Sequence, residues 1–253
     1  MIEDGLAAAV EGLPHTWQTH YFAAVESTQD EARTASRLGA PHRSMFIADY
    51  QRAGRGRQGR TWVAGSGVAL MLSMVFRDTP VKPMPWRWTS LASVALAESI
   101  EDIQPELRPA IKWPNDVLVK DRKVAGVLAE TSWDGLELVA IVGVGVNVNT
   151  ELADLARIGG AATSLRAASG MDVRRGRLLH AFVDRLDAWL DRPARECLAA
   201  WQARLWGRGQ RLRLVDLGRE EEVVVLGADF DGSLRVRLPD GTERRTTTGE
   251  LIV

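Results

Sequence analysis

A single cysteine, Cys197, among 253 residues leaves no intramolecular disulfide to form, and no CxxC or His/Cys cluster offers metal-ligand spacing. A reducing, cytoplasmic setting is expected. Charge of one sign is lacking too. With 32 Lys plus Arg against 33 Asp plus Glu, the formal net charge is -1. No global positive field gathers nucleic acid or anionic membrane, so any anion site must be local. Long apolar runs are missing: the longest, Val68 to Phe76, is about half of the roughly 20 residues a spanning helix needs. The opening MIEDGLAAAVEGLP carries acid where an export signal carries base, and Glu11 breaks its apolar stretch. Neither an internal repeat nor a low-complexity tract is found. The 45% hydrophobic share supports a soluble core, and the length suits one domain of about 200 residues with a small appendage.

Local patterning divides the chain. Ala32, Ala35 and Leu38 recur at helical spacing over Thr28 to Leu38, behind Ser27 or Thr28 as a cap. Ser44 to Asp49 reads as a strand, 51 to 66 as a long loop without hydrophobic period, and Gly67 to Arg77 as a strand buried on both faces. Pro85 to Ile103 carries an apolar helical stripe suited to covering a sheet. A meander of β segments follows: Pro109 to Trp113, Asp116 to Lys120, Lys123 to Thr131 and Leu136 to Val148, with Asp121-Arg122 turning the chain. Leu178 to Leu190 then marks an amphipathic helix, which Pro193 interrupts before a second through Trp201. Past Trp206-Gly207, short strands alternate with Asp231-Gly232 and Asp240-Gly241 turns, which predicts a small β barrel. The expected architecture is α+β in two domains, 1–206 and 207–253.

Chemistry concentrates in a few stretches. In QRAGRGRQGRTW, Gln51 to Trp62, Gly54, Gly56 and Gly59 let the backbone approach a ligand closely. Arg52, Arg55, Arg57 and Arg60 supply guanidinium forks suited to phosphate or carboxylate. The same composition also reads as a solvated, RGG-like segment. KWPNDV, Lys112 to Val117, displays Asn115 and Asp116 where Pro114 stops strand pairing. That is a simple turn, or a cation, an amide and a carboxylate gathered for a nucleotide phosphate and its metal. In KVAGVLAE, Lys123 starts a strand and Gly126 follows three residues on, on the opposite pleat face. Lys123 is there either a solvated turn lysine or a ligand group. VGVGVNVN, Val142 to Asn149, puts Gly143, Gly145, Asn147 and Asn149 on one strand face, poor for hydrophobic packing and suited to a pocket wall. Thr28 with Glu31 fits a capping box, although a helix start also receives ligand atoms.

In their order and spacing, VESTQDEA, QRAGRGRQGRTW, KWPNDV, KVAGVLAE and VGVGVNVN resemble the biotin protein ligases, from about His20 to the C-terminus. The resemblance implies a class II aminoacyl-tRNA synthetase-like fold, a mixed central sheet flanked by helices, followed by a Src-homology-3-like barrel. It implies formation of biotinyl-adenylate from biotin and ATP, then transfer to a lysine of a biotin carboxyl carrier protein. By the same resemblance Ser27, Thr28 and Gln51 meet the biotin ureido ring, with Gln29 standing where the family usually has asparagine. Gly54, Arg55, Gly56 and Arg57 form the loop at biotin and the acyl phosphate, while Gly126 and Gly143 wall the biotin pocket. Lys123 is the main electrophilic group and Arg57 stabilises phosphate. Arg60, Trp62, Asn115 and Asn147 meet the adenylate, and Lys112 lies near the ATP phosphates. Magnesium is expected to arrive with ATP rather than at a site fixed by protein alone, with Asp116 as the candidate metal or lysine-orienting carboxylate.

About two dozen residues precede Val25, too few for the winged-helix DNA-binding domain of bifunctional members, so no repressor activity is expected. The family leaves monomer and homodimer open. Two other readings remain: a lipoate or octanoate ligase-type transferase, and a nucleic-acid-binding module built on the arginine loop with Arg235, Arg237, Arg244 and Arg245. Against the first, glycine and arginine alternate here instead of forming a glycine run. Against the second stand the balanced charge and the lack of interleaved aromatics.

Overall fold

A computed structural model describes residues 5–78, 84, 86–158 and 161–252, except the side chain of 158. The N-terminal part opens with α1 (Leu6–Glu11), β1 (Gln18–Phe22), α2 (Thr28–Arg37) and β2 (Ser44–Ala48). Next come the two-residue strands β3 (Gly54–Arg55) and β4 (Thr61–Trp62), then β5 (Ala69–Asp78) and α3 (Trp86–Ile103). The meander is β6 (Ala110–Lys112), β7 (Asp116–Val119), β8 (Arg122–Asp134) and β9 (Glu137–Asn147). Helices α4 (Leu152–Ile158), α5 (Leu165–Ser169), α6 (Arg175–Leu190) and α7 (Ala194–Ala203) precede β10 (Arg211–Asp216), β11 (Arg219–Ala228), β12 (Leu234–Arg237), β13 (Glu243–Thr246) and β14 (Glu250–Ile252).

Seven strands form one mixed sheet in the order β1-β2-β5-β9-β8-β7-β6, with β1 and β2 parallel and the other pairs antiparallel. Alternation along β5 decides its two faces. Leu70, Leu72, Met74 and Phe76 join the main core, shared with α3 and α6. Val75 faces the other way, into a smaller core with Ala32 of α2, Phe46, Val139 and Ile141. Among the described residues α2 is the helix of that second core, and beyond it the same face continues over Ser73, Gly143 and Gly145 as the wall of a cavity. The α+β class and the mixed sheet flanked by helices are as the sequence implied.

Five C-terminal strands make a separate antiparallel sheet, β13-β12-β11-β10-β14, which fits the Src-homology-3-like barrel. Its hydrophobic residues continue the main core instead of forming their own. Gly232, in the turn before β12, is gripped by two tryptophans. Its carbonyl accepts from Trp113 Nε1 at 3.0 Å, and a Cβ built there would lie 2.1 Å from Trp86 Cγ of α3. With φ +85 at this position as well, only glycine fits. The chain entering the barrel is tied to β6 by Trp206 N–H donating to the Ile111 carbonyl at 2.9 Å.

Several expectations change. The segment 51–66 is not structureless, because β3 pairs with β4, Gly54 opposite Trp62, around a 3-10 turn at Arg57–Gly59. The Thr28–Glu31 capping box does not form: Ser27 is the N-cap without a side-chain cap bond, and Gln51 Oε1 takes the Thr28 N–H at 2.7 Å. Lys123 and Gly126 do not face opposite sides. The β7–β8 register jumps from Val117↔Ala125 to Leu118↔Lys123, so Val124 is an extra residue that resets the alternation. A Cβ on Gly126 would lie 3.4 Å from Lys123 Nζ. Pro85, the expected start of α3, lies outside the described residues, as does Met1–Asp4 of the opening segment.

Candidate active site

The cavity over Gly143 and Gly145 encloses about 810 Å³, within the range of small-molecule and cofactor sites. Its floor is bare backbone because the two glycines of β9 leave room that side chains would fill. A Cβ on Gly143 would meet Gln29 Oε1 at 2.6 Å, and one on Gly145 would meet the Trp62 indole at 2.6 Å. Trp62, on β4, therefore lies directly on the strand and closes part of the roof.

One end is polar and neutral. Thr28 Oγ1 contacts Gln51 Oε1 at 3.0 Å and Ser73 Oγ at 2.9 Å. Ser73 donates to Gln29 Oε1 at 3.0 Å, and Gln29 Nε2 donates to Glu130 at 2.8 Å. Ser27 is fully buried beside them, and its Oγ has no partner.

The other end is cationic. Lys123 pairs with Asp116 at 2.6 Å, and its backbone is pinned by bonds from Lys123 N to the Ala161 carbonyl and from Thr163 N to the Lys123 carbonyl, both 2.8 Å. Arg57 donates to Asn115 Oδ1 at 3.0 Å, while Asn115 Nδ2 donates to the Val127 carbonyl at 2.7 Å. Asn115 thus aims the guanidinium. Burial pulls the Arg57 pKa below its ordinary value despite the attraction of Asp116. Lys112 and Arg60 converge on Glu250 of the barrel, at 3.2 and 3.0 Å. Burial alone would raise the Glu250 carboxyl, but Lys112 and then Arg60 outweigh it and hold that pKa below the usual glutamate value.

Of the expected residues, Ser27, Thr28, Gln29, Gln51, Arg55, Gly56, Arg57, Arg60, Trp62, Lys112, Asn115, Asp116, Lys123, Gly126, Gly143 and Asn147 all line this cavity. Gly54 does not. Its α-carbon faces the carbonyl of Trp62, 2.4 Å from a built Cβ, so it serves the closeness of β3 to β4. Arg55 is turned to Asp30 of α2 at 2.9 Å. Ser73, Trp206, Gly249 and Glu250 also line the cavity and were missed. Ser73 had a signal, as the one hydroxyl inside an apolar strand; Glu250 had none.

Besides Ser27 Oγ, Trp62 Nε1 and Asn147 Oδ1 are buried without partners in the cavity lining. Buried polar atoms ordinarily find partners, so three such atoms in one cavity mark places for a bound molecule's polar groups. An elongated molecule with a neutral hydrogen-bonding head and an anionic reacting end matches both ends. By contrast, the four barrel arginines are engaged: Arg235 and Arg245 with Asp229, Arg237 with Glu243, Arg244 with Glu221. They form no free basic strip for nucleic acid.

The model of the biotin/lipoate A/B protein ligase family matches residues 21–147, which hold both ends of this cavity. The chain belongs to that family. This ligase is 31% identical over 232 residues to the bifunctional ligase/repressor BirA of Bacillus spizizenii, covering 88% of the chain and 70% of that protein. It is 35% identical over 205 residues to the biotin--[acetyl-CoA-carboxylase] ligase of Mycobacterium tuberculosis, covering 78% and 73%. Its fold superimposes on biotin protein ligase from Aquifex aeolicus in complex with biotin and ATP with a TM-score of 0.77, at 25% identity and over 92% and 97% of the two chains. Among the described residues of the ligase, no helix is long and apolar enough to cross a membrane.

Proposed function

We propose that this ligase joins biotin to ATP as biotinyl-5'-AMP and then transfers the biotinyl group to a lysine of a biotin carboxyl carrier domain. The observation that carries the reading is one cavity with hydroxyls and an amide at one end and Lys123, Arg57, Lys112 and Arg60 at the other. In the first step a biotin carboxylate oxygen attacks the α-phosphorus and pyrophosphate leaves. In the second the carrier amine attacks the acyl carbon, its proton is lost, and AMP departs. Both steps move negative charge onto phosphate oxygens, which fixed cations in a water-poor site stabilise without reorganising.

Lys123 serves as the cation at the reacting carboxylate, with Asp116 orienting its ammonium. Arg57, aimed by Asn115, attends the phosphate. Lys112 and Arg60 receive the leaving pyrophosphate by letting go of Glu250. Ser27, Thr28 and Gln51 take the ureido ring, with Gly126 and Gly143 as the close walls of its pocket; Trp62 and Asn147 take the adenosine. Magnesium enters with ATP, near Asp116, which is paired with Lys123. The setting is cytoplasmic, and the barrel, divided from the catalytic domain after residue 206, closes the phosphate end.

The test is direct. Incubated with biotin, MgATP and an isolated biotin carboxyl carrier domain, the protein should label the carrier on an avidin blot. Biotin, and not lipoate, should drive pyrophosphate exchange. Lipoate-driven exchange with none from biotin would transfer the assignment to the lipoate branch.

A further inference from the structure

We propose that Arg122, which lies outside the cavity lining, is a positioning residue: its guanidinium holds the strip Ala161–Thr163 against Lys123, and the strip keeps water from the acyl-adenylate. The inference rests on the adenylate reading above and names what guards its intermediate.

The strip is held at successive backbone groups. Lys123 N donates to the Ala161 carbonyl and Thr163 N to the Lys123 carbonyl, which makes Ala162 a parallel partner of Lys123. Pairing of β8 with β9 stops at Ala125↔Val146, so the strip takes over beside Lys123 where that pairing has ended. Asn147 Nδ2 donates to the Thr163 carbonyl at 3.1 Å. In a parallel bridge the two flanking residues supply the bonds, so the carbonyl of Ala162 itself points away from Lys123. Arg122 reaches that oxygen, donating from Nε at 3.1 Å and from Nη2 at 2.9 Å. A carbonyl has two lone pairs, and the guanidinium fork fills both.

The position of the strip gives it its task. Ala161 is exposed and Ala162 only 9% exposed, yet both line the cavity. The strip therefore stands between solvent and the cavity, next to the ammonium assigned to the reacting carboxylate. A mixed anhydride at that point is lost when water attacks the acyl carbon and gives up a proton, releasing biotin and AMP. Keeping water out protects it. Asn147 lines the cavity and Arg122 does not, so Arg122 can be changed without removing a group that meets the bound molecule.

Arg122→Ala leaves the Ala162 carbonyl without its donors. Losing the partner of a buried backbone group shifts the balance between held and released strip on the order of ten-fold. In the full chain without any ligand, hydrogen exchange at the Thr163 amide should quicken by about that factor, while the Val127 amide, bonded to the Asn115 carbonyl, keeps its rate. With biotin and MgATP but no carrier, steady AMP release should rise similarly, and the single-turnover rate of adenylate formation should stay near wild type. Arg122→Lys keeps a cation able to donate to the same oxygen and should recover most of both effects. Lys120 donates to the Ala168 carbonyl at 2.9 Å in exposed surroundings, where water can replace it, so Lys120→Ala should change neither readout. Unchanged Thr163 exchange in Arg122→Ala would overturn the proposal. So would AMP release falling together with adenylate formation, or Lys120→Ala matching Arg122→Ala. Exchange is read without substrate, so AMP release driven by lipoate and not by biotin would sink the substrate assignment and leave this test in force.

Discussion

Lys123 illustrates how a residue's role depends on what holds it. Its side chain is about one-third exposed and bonded to a mostly buried Asp116, so the direction of the ammonium is fixed while one side of it stays open to the cavity. Lys123→Ala should lower biotin-dependent pyrophosphate exchange by roughly 10²–10³-fold, the usual consequence of losing one preorganised group at a developing charge. Asp116→Asn keeps the ammonium but frees its orientation, and should lose up to about 10²-fold. Equal, near-wild-type exchange in both variants would remove Lys123 from the chemistry. The lysine was readable in the sequence because it sits in a recognisable pattern. Its relation to Gly126 was not, since counting residues assumes regular alternation and the bulge at Val124 carries no turn or glycine signal of its own. Glu250 was invisible for another reason: its cationic partners Arg60 and Lys112 are 190 and 138 residues away in the chain.

At the scale of elements, the arginine loop is held by stacking on a glycine rather than by a hydrophobic period of its own. Trp62 lies on Gly145, and a methyl added there would come within 2.6 Å of the indole. Gly145→Ala should therefore lift β4 off β9 and free the hairpin, as overpacking forces neighbours aside at a cost of about 1–3 kcal/mol. Trypsin should then cleave after Arg55, Arg57 or Arg60 several-fold faster, and the KM for ATP should rise. Unchanged cleavage and unchanged KM would mean that Trp62 does not hold the loop. The strands and helices that were legible, β5, α3, the meander and α6, are those with long apolar runs or stripes. The elements that escaped, α1, β1, β3, β4, α4, α5 and β14, are seven residues or shorter and owe their form to tertiary partners, which a local pattern does not contain.

For the whole molecule, the barrel and the catalytic part are joined both by packing and by charge, and the two links can be separated. Packing dominates folding. Trp113 is 1% exposed and bonded to Gly232, and the hydrophobic core runs unbroken from the large sheet into β10, β11 and β12. A chain ended after Trp206 would uncover that core. Each fully buried large side chain is worth about 1.5–3 kcal/mol against a net stability of about 5–15 kcal/mol for a typical domain, so a truncated chain should show no cooperative thermal transition. Truncation thus cannot isolate a catalytic role for the barrel, whereas Glu250→Gln in the full chain can. The Glu250 pKa is lower in the fold than in the unfolded chain, so its ionised form is favoured by folding. Its stabilisation is complete above the ordinary glutamate pKa and disappears as pH falls through the lowered folded value. Acid denaturation curves of wild type and Glu250→Gln should differ at neutral pH and converge as the pH falls through the lowered folded value. A gap that instead widened toward acid would show that Glu250 is not held ionised by Lys112 and Arg60, and the clasp between barrel and phosphate end would have to be abandoned.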